Sequence, residues 1–164
     1  MSSSGKYRVG VLMGSESDSP VMKVAEETLE RFGIAADVRV ISAHRTPERL
    51  TRYLAEAEEE GVTAIICGAG WAAHLAGVTA AHTTIPVLGV PIESSPLKGI
   101  DALLATVQMP GGIPVGTLGI GRGGAKNAAL LVVAFIARFD PEVAKKLSEF
   151  REAQSAAVPE RPTR

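Results

Sequence analysis

Three short runs carry almost no polar residue: Val9–Met13, Val62–Cys67 and Pro86–Val90. They constrain the fold more than any other feature of the chain. A strand with one wet face alternates apolar and polar residues, whereas a strand buried on both faces reads as a continuous apolar run. Strands of the second kind belong to a parallel sheet covered by helices on both sides. The segments between them supply those helices. Ser19-Pro20 gives an N-cap and a first-turn proline, Val21, Ala25, Leu29 and Phe32 share one face, and Gly33 ends the helix. Thr46-Pro47 opens a second helix, with Leu50, Tyr53, Leu54 and Ala57 inward and Gly61 at its end. Val38–Ile41 is a further strand, and an alanine-rich helix follows Gly68–Gly70. Then come a helix over Leu97–Gln108, a loop at Met109–Gly112, a last strand over Val115–Ile120 and a helix over Ala125–Phe139. Asp140-Pro141 caps a final helix that turns Val143, Leu147 and Phe150 inward.

The chain of 164 residues is long enough to bury a core without metals or disulfides, and it reads as one α/β domain. Residues 1–6 are expected to be disordered, 7–155 to form the domain, and 156–164 to be a flexible tail. The formal net charge is −1 with Lys and Arg scattered, which argues against nucleic acid as a partner. The single cysteine, Cys67, lies in an apolar run and reads as a buried thiol. Met1–Lys6 lacks the apolar stretch of a signal peptide, and the longest apolar run, Ala128–Ala137, is too short to span a bilayer. A cytoplasmic protein without membrane contact is the expectation. The helix containing that run is apolar nearly all round, and a sheet covers only about half of a helix. Its outer face calls for a second copy of the chain, or else for full burial within one chain.

Ligands of open parallel sheets bind outside the carboxyl ends of the strands, so the loops there are the candidates for chemistry. Gly14-Ser15-Glu16-Ser17-Asp18-Ser19 combines a glycine, hydroxyls and a helix start, which suits an anion. Asp18 would repel phosphate and better suits ribose hydroxyls; helix capping by Ser17, Asp18 or Ser19 is the alternative. Ser42-Ala43-His44-Arg45-Thr46-Pro47 sets a titrating group beside an anion fork. Arg45 can hold a phosphate bidentately, and His44 can give and take a proton in one turnover. In Gly68-Ala69-Gly70-Trp71-Ala72-Ala73-His74, small residues let backbone N–H groups approach a planar or anionic ligand. His74 either lines that site or caps the next helix, and Trp71 either stacks on a heterocycle or packs on a neighbouring subunit. His82 reads as a surface residue. Met109-Pro110-Gly111-Gly112-Ile113-Pro114 suits a lid or pocket wall as well as it suits a plain connection.

Five ordered motifs resemble the bacterial 5-(carboxyamino)imidazole ribonucleotide mutase family of purine biosynthesis. They are Met13-Gly14-Ser15-x-Ser17-Asp18, Ser42–Pro47, Gly68-Ala69-Gly70-x-Ala72-Ala73-His74-Leu75, Pro86–Pro91, and Gln108-Met109-Pro110-x-Gly112-x-Pro114-Val115-Gly116-Thr117-Leu118. The likeness runs from about Val9 to Gln154. It implies a flavodoxin-like three-layer sandwich with a central parallel sheet and an extra C-terminal helix, assembled as a homo-octamer. It implies transfer of a carboxylate from the exocyclic nitrogen to carbon 4 of a phosphoribosyl-aminoimidazole, with no metal and no organic cofactor. It also implies a functional link to an ATP-dependent carboxyaminoimidazole ribonucleotide synthase. On the family pattern His44 is the general acid/base, and Ser15, Asp18 and Arg45 hold the ribonucleotide with Gly14, Ser17 and Ser42 around them. Gly70, Trp71, Ala72 and His74 border the carboxylate or CO2. The family usually has glycine in place of Trp71, and proline and methionine in place of Ala76 and Val78. These departures leave open a relative with an altered substrate, including direct carboxylation by CO2. A non-catalytic nucleotide- or flavin-binding module is the reading from a different class.

Overall fold

In the computed structural model, residues 6–162 are described. Five parallel strands form one sheet: β1 (Arg8–Met13), β2 (Ala35–Val40), β3 (Ala64–Ala69), β4 (Val87–Pro91) and β5 (Gly116–Thr117), in the order β2-β1-β3-β4-β5. The helices are α1 (Ser19–Arg31), α2 (Pro47–Glu59), α3 (Leu75–His82), α4 (Ile100–Val107), α5 (Gly121–Ile136) and α6 (Pro141–Ala156). This is the doubly wound, flavodoxin-like order, and the chain reverses direction between β1 and β3.

The parity of the strands divides the core in two. Val9, Val11 and Met13 face α1, α5 and α6, together with Ile66, Leu88 and Val90. Leu12, Ile65, Cys67 and Val87 face α2 and α3. Helix α4 joins this second layer, where Thr106 Oγ1 donates to the Ala73 carbonyl at 3.4 Å. In β3, Gly68 has no side chain because Met22 of α1 lies directly against it, and a Cβ there would collide with the Met22 thioether. Helix α6 is fixed at both ends of its buried face. Asp140 Oδ1 accepts from the N–H groups of Glu142 and Val143 at 3.0 and 3.3 Å. Phe150 meets Phe32 edge-on at 5.7 Å.

The sequence and structure differ mainly where exposure or glycine breaks the pattern. β2 starts three residues before the expected Val38, because it is an edge strand whose Asp37 and Arg39 interrupt the apolar run. Helix α1 begins at Ser19 instead of being capped by it; the cap is moved to a preceding 3-10 turn, Glu16–Asp18. Helix α4 starts at Ile100 rather than Leu97, after a turn with Lys98 and Gly99 at φ +52° and +85°. β5 pairs over two residues where six were expected. Helix α5 starts at Gly121 instead of Ala125, and Gly124 within it packs on the Gly119 carbonyl where a side chain would collide. It ends at Ile136 instead of Phe139. Of the terminal segments expected to be loose, residues 1–5 and 163–164 lie outside the described residues. Lys6 contacts Asp140, and α6 continues to Ala156.

One face of α5 is buried through Ala125, Ala128, Ala129, Val132, Val133 and Ile136. Its other side leaves Leu131 and Phe135 exposed at 37% and 58%, with Phe139 just beyond at 87%. The chain therefore does not cover this helix by itself. A second apolar stripe, Leu97, Ile100, Leu104 and Val107, is exposed along α4. Among the described residues no helix is long and apolar enough to cross a membrane.

Candidate active site

Three loops leave the carboxyl ends of β1, β2 and β3 side by side at the reversal between β1 and β3. They enclose a cavity of about 400 Å³, within the range of small-ligand sites. After β1 the chain makes the 3-10 turn Glu16–Asp18. Ser17 donates from its N–H and its hydroxyl to Ser15 Oγ at 3.4 and 3.0 Å. Asp18 folds back, and its Oδ2 accepts from the Ser15 N–H at 3.1 Å. Both groups thus cap the turn, and both line the cavity together with Gly14. Asp18 is only 5% exposed. Burial raises its pKa above the ordinary carboxylate value, opposed by the one hydrogen bond from Ser15.

The loop after β2 is held by Ser42 and Thr46. The Ser42 carbonyl accepts from the Thr46 N–H and hydroxyl at 2.9 and 3.0 Å, and Thr46 Oγ1 accepts from the Ser42 N–H at 3.0 Å. Ser42 Oγ accepts from Arg45 N at 3.1 Å, and Arg45 Nη2 donates to the Gly14 carbonyl at 3.3 Å. The guanidinium therefore bridges the first two loops at the cavity wall. His44 points across to the third loop, where its Nε2 lies 2.9 Å from His74 Nδ1 with the rings at 86°. One hydrogen must lie between these two nitrogens, so the tautomer of each ring depends on the other. His74 occupies the N-cap position of α3 without a side-chain capping bond, and its imidazole serves the histidine pair.

Every site residue expected from the sequence borders this one cavity: Gly14, Ser15, Ser17 and Asp18 from the first loop, Ser42, His44 and Arg45 from the second, and Gly70, Trp71, Ala72 and His74 from the third. Ser94, after β4, was missed. It lies under Gly70, where a Cβ would collide with its hydroxyl, and it completes the wall. The polar run Glu93-Ser94-Ser95 at a strand's carboxyl end was the signal for it. The Met109–Pro114 loop does not line the cavity. It precedes β5, and in a parallel sheet such a loop lies at the amino edge; Met109 packs there near Gly77 of α3. His82 is exposed. The Cys67 thiol is buried near Thr79 and is pushed up to about 12 by burial, which keeps it unreactive. Among the described residues no group of three or more His, Cys, Asp or Glu side chains is placed to hold a metal ion.

A proton-sharing histidine pair beside an arginine, at the switch point of a flavodoxin-like sheet, places the chain among α/β enzymes acting on small anionic molecules. Residues 8–157 match the AIR carboxylase family, and the chain belongs to that family. It is 54% identical over 155 residues to an N5-carboxyaminoimidazole ribonucleotide mutase of Brucella melitensis, covering 94% of this chain and 96% of the relative. It is 57% identical to the mutase of that name from Pyrococcus abyssi over 148 residues, covering 90% and 84%. Its fold matches the crystal structure of Treponema denticola PurE with a TM-score of 0.84 at 28% identity, covering 92% of this chain and 93% of that one.

Proposed function

We propose that this chain is an N5-carboxyaminoimidazole ribonucleotide mutase of purine biosynthesis, with His44 moving both protons. The observation that carries the assignment is the placement of His44, Arg45 and the buried Asp18 around one cavity. Arg45 takes the phosphate and Asp18 accepts from ribose hydroxyls, with Ser15, Ser17 and Ser42 donating around them and Gly14 and Gly70 giving the ligand close backbone approach. Protonated His44 gives its proton to the carbamate nitrogen. The N–C bond breaks, releasing CO2 and leaving a neutral, electron-rich aminoimidazole. Carbon 4 attacks the retained CO2 and forms the new C–C bond. Neutral His44 then removes the proton from carbon 4, which restores the aromatic ring and the starting protonation state. His74 accepts or donates the hydrogen it shares with His44, and this keeps the working nitrogen aimed into the cavity. Ala72 and the neighbouring small residues leave space for CO2. Holding CO2 beside the ring makes recapture effectively unimolecular, an advantage on the order of 7–11 kcal/mol at best.

The carbamate must come from a reaction that carboxylates the amine at the expense of ATP, so an ATP-dependent synthase is the functional partner. A ribonucleotide does not cross membranes, which puts both enzymes in the cytoplasm. The apolar stripes on α4 and α5 support a homo-oligomer, which we assign as an octamer. Light scattering should then give eight times the 17.1 kDa chain mass, and a monomer would refute the assembly.

The test of the chemistry is isotopic. Substrate labelled with 13C in the carbamate is converted in unlabelled bicarbonate. The mutase keeps the label in the carbon 4 carboxylate. Product carrying unlabelled carbon would mean direct carboxylation by dissolved CO2, and no product would overturn the assignment.

A further inference from the structure

Trp71 is the chain's one tryptophan, and two observations separate it from a packing residue. Its φ is +52°, in the left-handed region that residues bearing a Cβ avoid. Its side chain is 60% exposed, although it borders a cavity that holds Asp18, Arg45 and His44. The rings that pair in this structure are Phe32 with Phe150 and His44 with His74; the indole takes part in neither contact. A strained backbone that leaves a large apolar ring in water gives the fold nothing. Lys98 takes the same φ in a turn away from the cavity, so it is the combination of this backbone with an exposed indole at the cavity wall that points to a ligand.

The surroundings restrict what that ligand presents to the indole. Arg45 and Asp18 attract phosphate and hydroxyls, so the sugar phosphate lies toward the first two loops. His74 engages Nε2 of His44, so the atoms that exchange protons with His44 meet its other nitrogen within the cavity that His44 and Trp71 both line. That portion of the ribonucleotide is a flat, electron-rich heterocycle, and an indole binds such a ring by offset stacking. We propose that Trp71 is the specificity-determining residue of the site: its indole stacks on the aminoimidazole ring and selects a base-bearing ribonucleotide over a bare sugar phosphate. This rests on the ribonucleotide reading given above. Stacking does not depend on whether the carboxylate is on nitrogen or on carbon 4. Trp71 therefore holds substrate and product alike, and its removal falls on KM more than on kcat.

The experiment uses tryptophan emission, which in this chain reports on Trp71 alone. Full-length protein is titrated with 5-aminoimidazole ribonucleotide and, separately, with ribose 5-phosphate. The ribonucleotide should change the emission saturably, while ribose 5-phosphate competes for the site and leaves the emission unchanged. Trp71→Gly should weaken ribonucleotide binding by about ten- to a hundredfold, the loss expected for one stacked base, and change ribose 5-phosphate binding by no more than about twofold. Trp71→Phe should recover most of the loss. Glycine accepts the +52° backbone, so the variant is not expected to misfold. Unchanged emission, or equal ribonucleotide affinity in wild type and Trp71→Gly, would overturn the proposal. Carboxylate transfer with a silent Trp71 would refute the stacking role and leave the mutase reading standing. A saturable emission change without carboxylate transfer would do the reverse.

Discussion

Asp18 and Asp140 are both buried, at 5% and 8% exposure, and both stand at helix starts, yet their surroundings push them in opposite directions. Asp140 is met by the Lys6 ammonium at 2.9 Å, the Tyr7 hydroxyl at 3.2 Å and two backbone N–H groups of α6. Chiefly through Lys6, its carboxyl is held down to about 2. Asp18 has one donor, the Ser15 N–H, and burial pushes its pKa up. A carboxylate surrounded by donors has little left to accept and serves as a joint between the N-terminal strand and α6. One with a single donor, at the wall of a cavity, keeps acceptor capacity that a ligand can fill. The two residues separate a part of the molecule finished by folding from a part finished by substrate.

If that division holds, variants in the cavity should damage chemistry and spare stability, and variants at the α6 joint should do the opposite. The largest effect belongs to His44→Asn. Its kcat should fall by about 10²–10⁴, the usual contribution of a general acid/base, with ribonucleotide affinity and Tm nearly unchanged. Retained turnover in that variant would remove His44 from the proton path. Asp18→Asn comes next, with ribonucleotide binding weaker by about ten- to a hundredfold in calorimetry, the loss of hydrogen bonds to a charged acceptor. Because the folded-state pKa of Asp18 is raised, its ionised form costs stability at neutral pH. That cost vanishes as pH falls through the raised pKa. Asp18→Asn should therefore melt no lower than wild type at pH 7, with any gain shrinking on acidification. A clear loss of Tm would make Asp18 a structural joint like Asp140 and end the contrast.

The division also explains what was legible in the sequence. The central strands β1, β3 and β4 were readable because burial on both faces removes polar residues from them. Edge strand β2 and two-residue β5 were readable as strands but not in their bounds, since half-exposed pairing leaves little compositional trace of where a strand begins and ends. The three main loops of the site were legible through the carboxyl-edge rule, which needs only the order of strands and loops. That rule also covers Ser94, although its short polar run carries fewer chemical signals than the other three loops. For the Met109–Pro114 loop a pocket wall and a plain connection were equally open, because glycine and proline content describes a loop's flexibility and carries no information about which edge of the sheet it joins. The Asp140–Lys6 contact links residues 134 positions apart, and nothing local announces it. The same holds for His44 and His74, 30 positions apart, whose pairing appears only once β1 lies between β2 and β3.

The smallest effect is expected at Asp140, and it tests the other half of the contrast. Asp140→Asn keeps a side-chain oxygen for the α6 N–H groups but loses the charge that Lys6 faces. Its Tm at pH 7 should drop by about 2–4 °C while kcat and KM stay at wild-type values. The pH dependence follows from the lowered pKa. A carboxyl with a folded pKa of about 2 and an ordinary value of 3.8 contributes its full stabilisation above the ordinary value. It loses that contribution as pH falls through the folded one. Melting curves of wild type and Asp140→Asn should thus run apart above pH 4 and converge near pH 2. The Lys6 ammonium is largely in solvent, so the gap should narrow in high salt. A gap that ignored both pH and salt would mean that Asp140 acts as a neutral spacer, and a change in kcat would mean that the joint is coupled to the cavity after all.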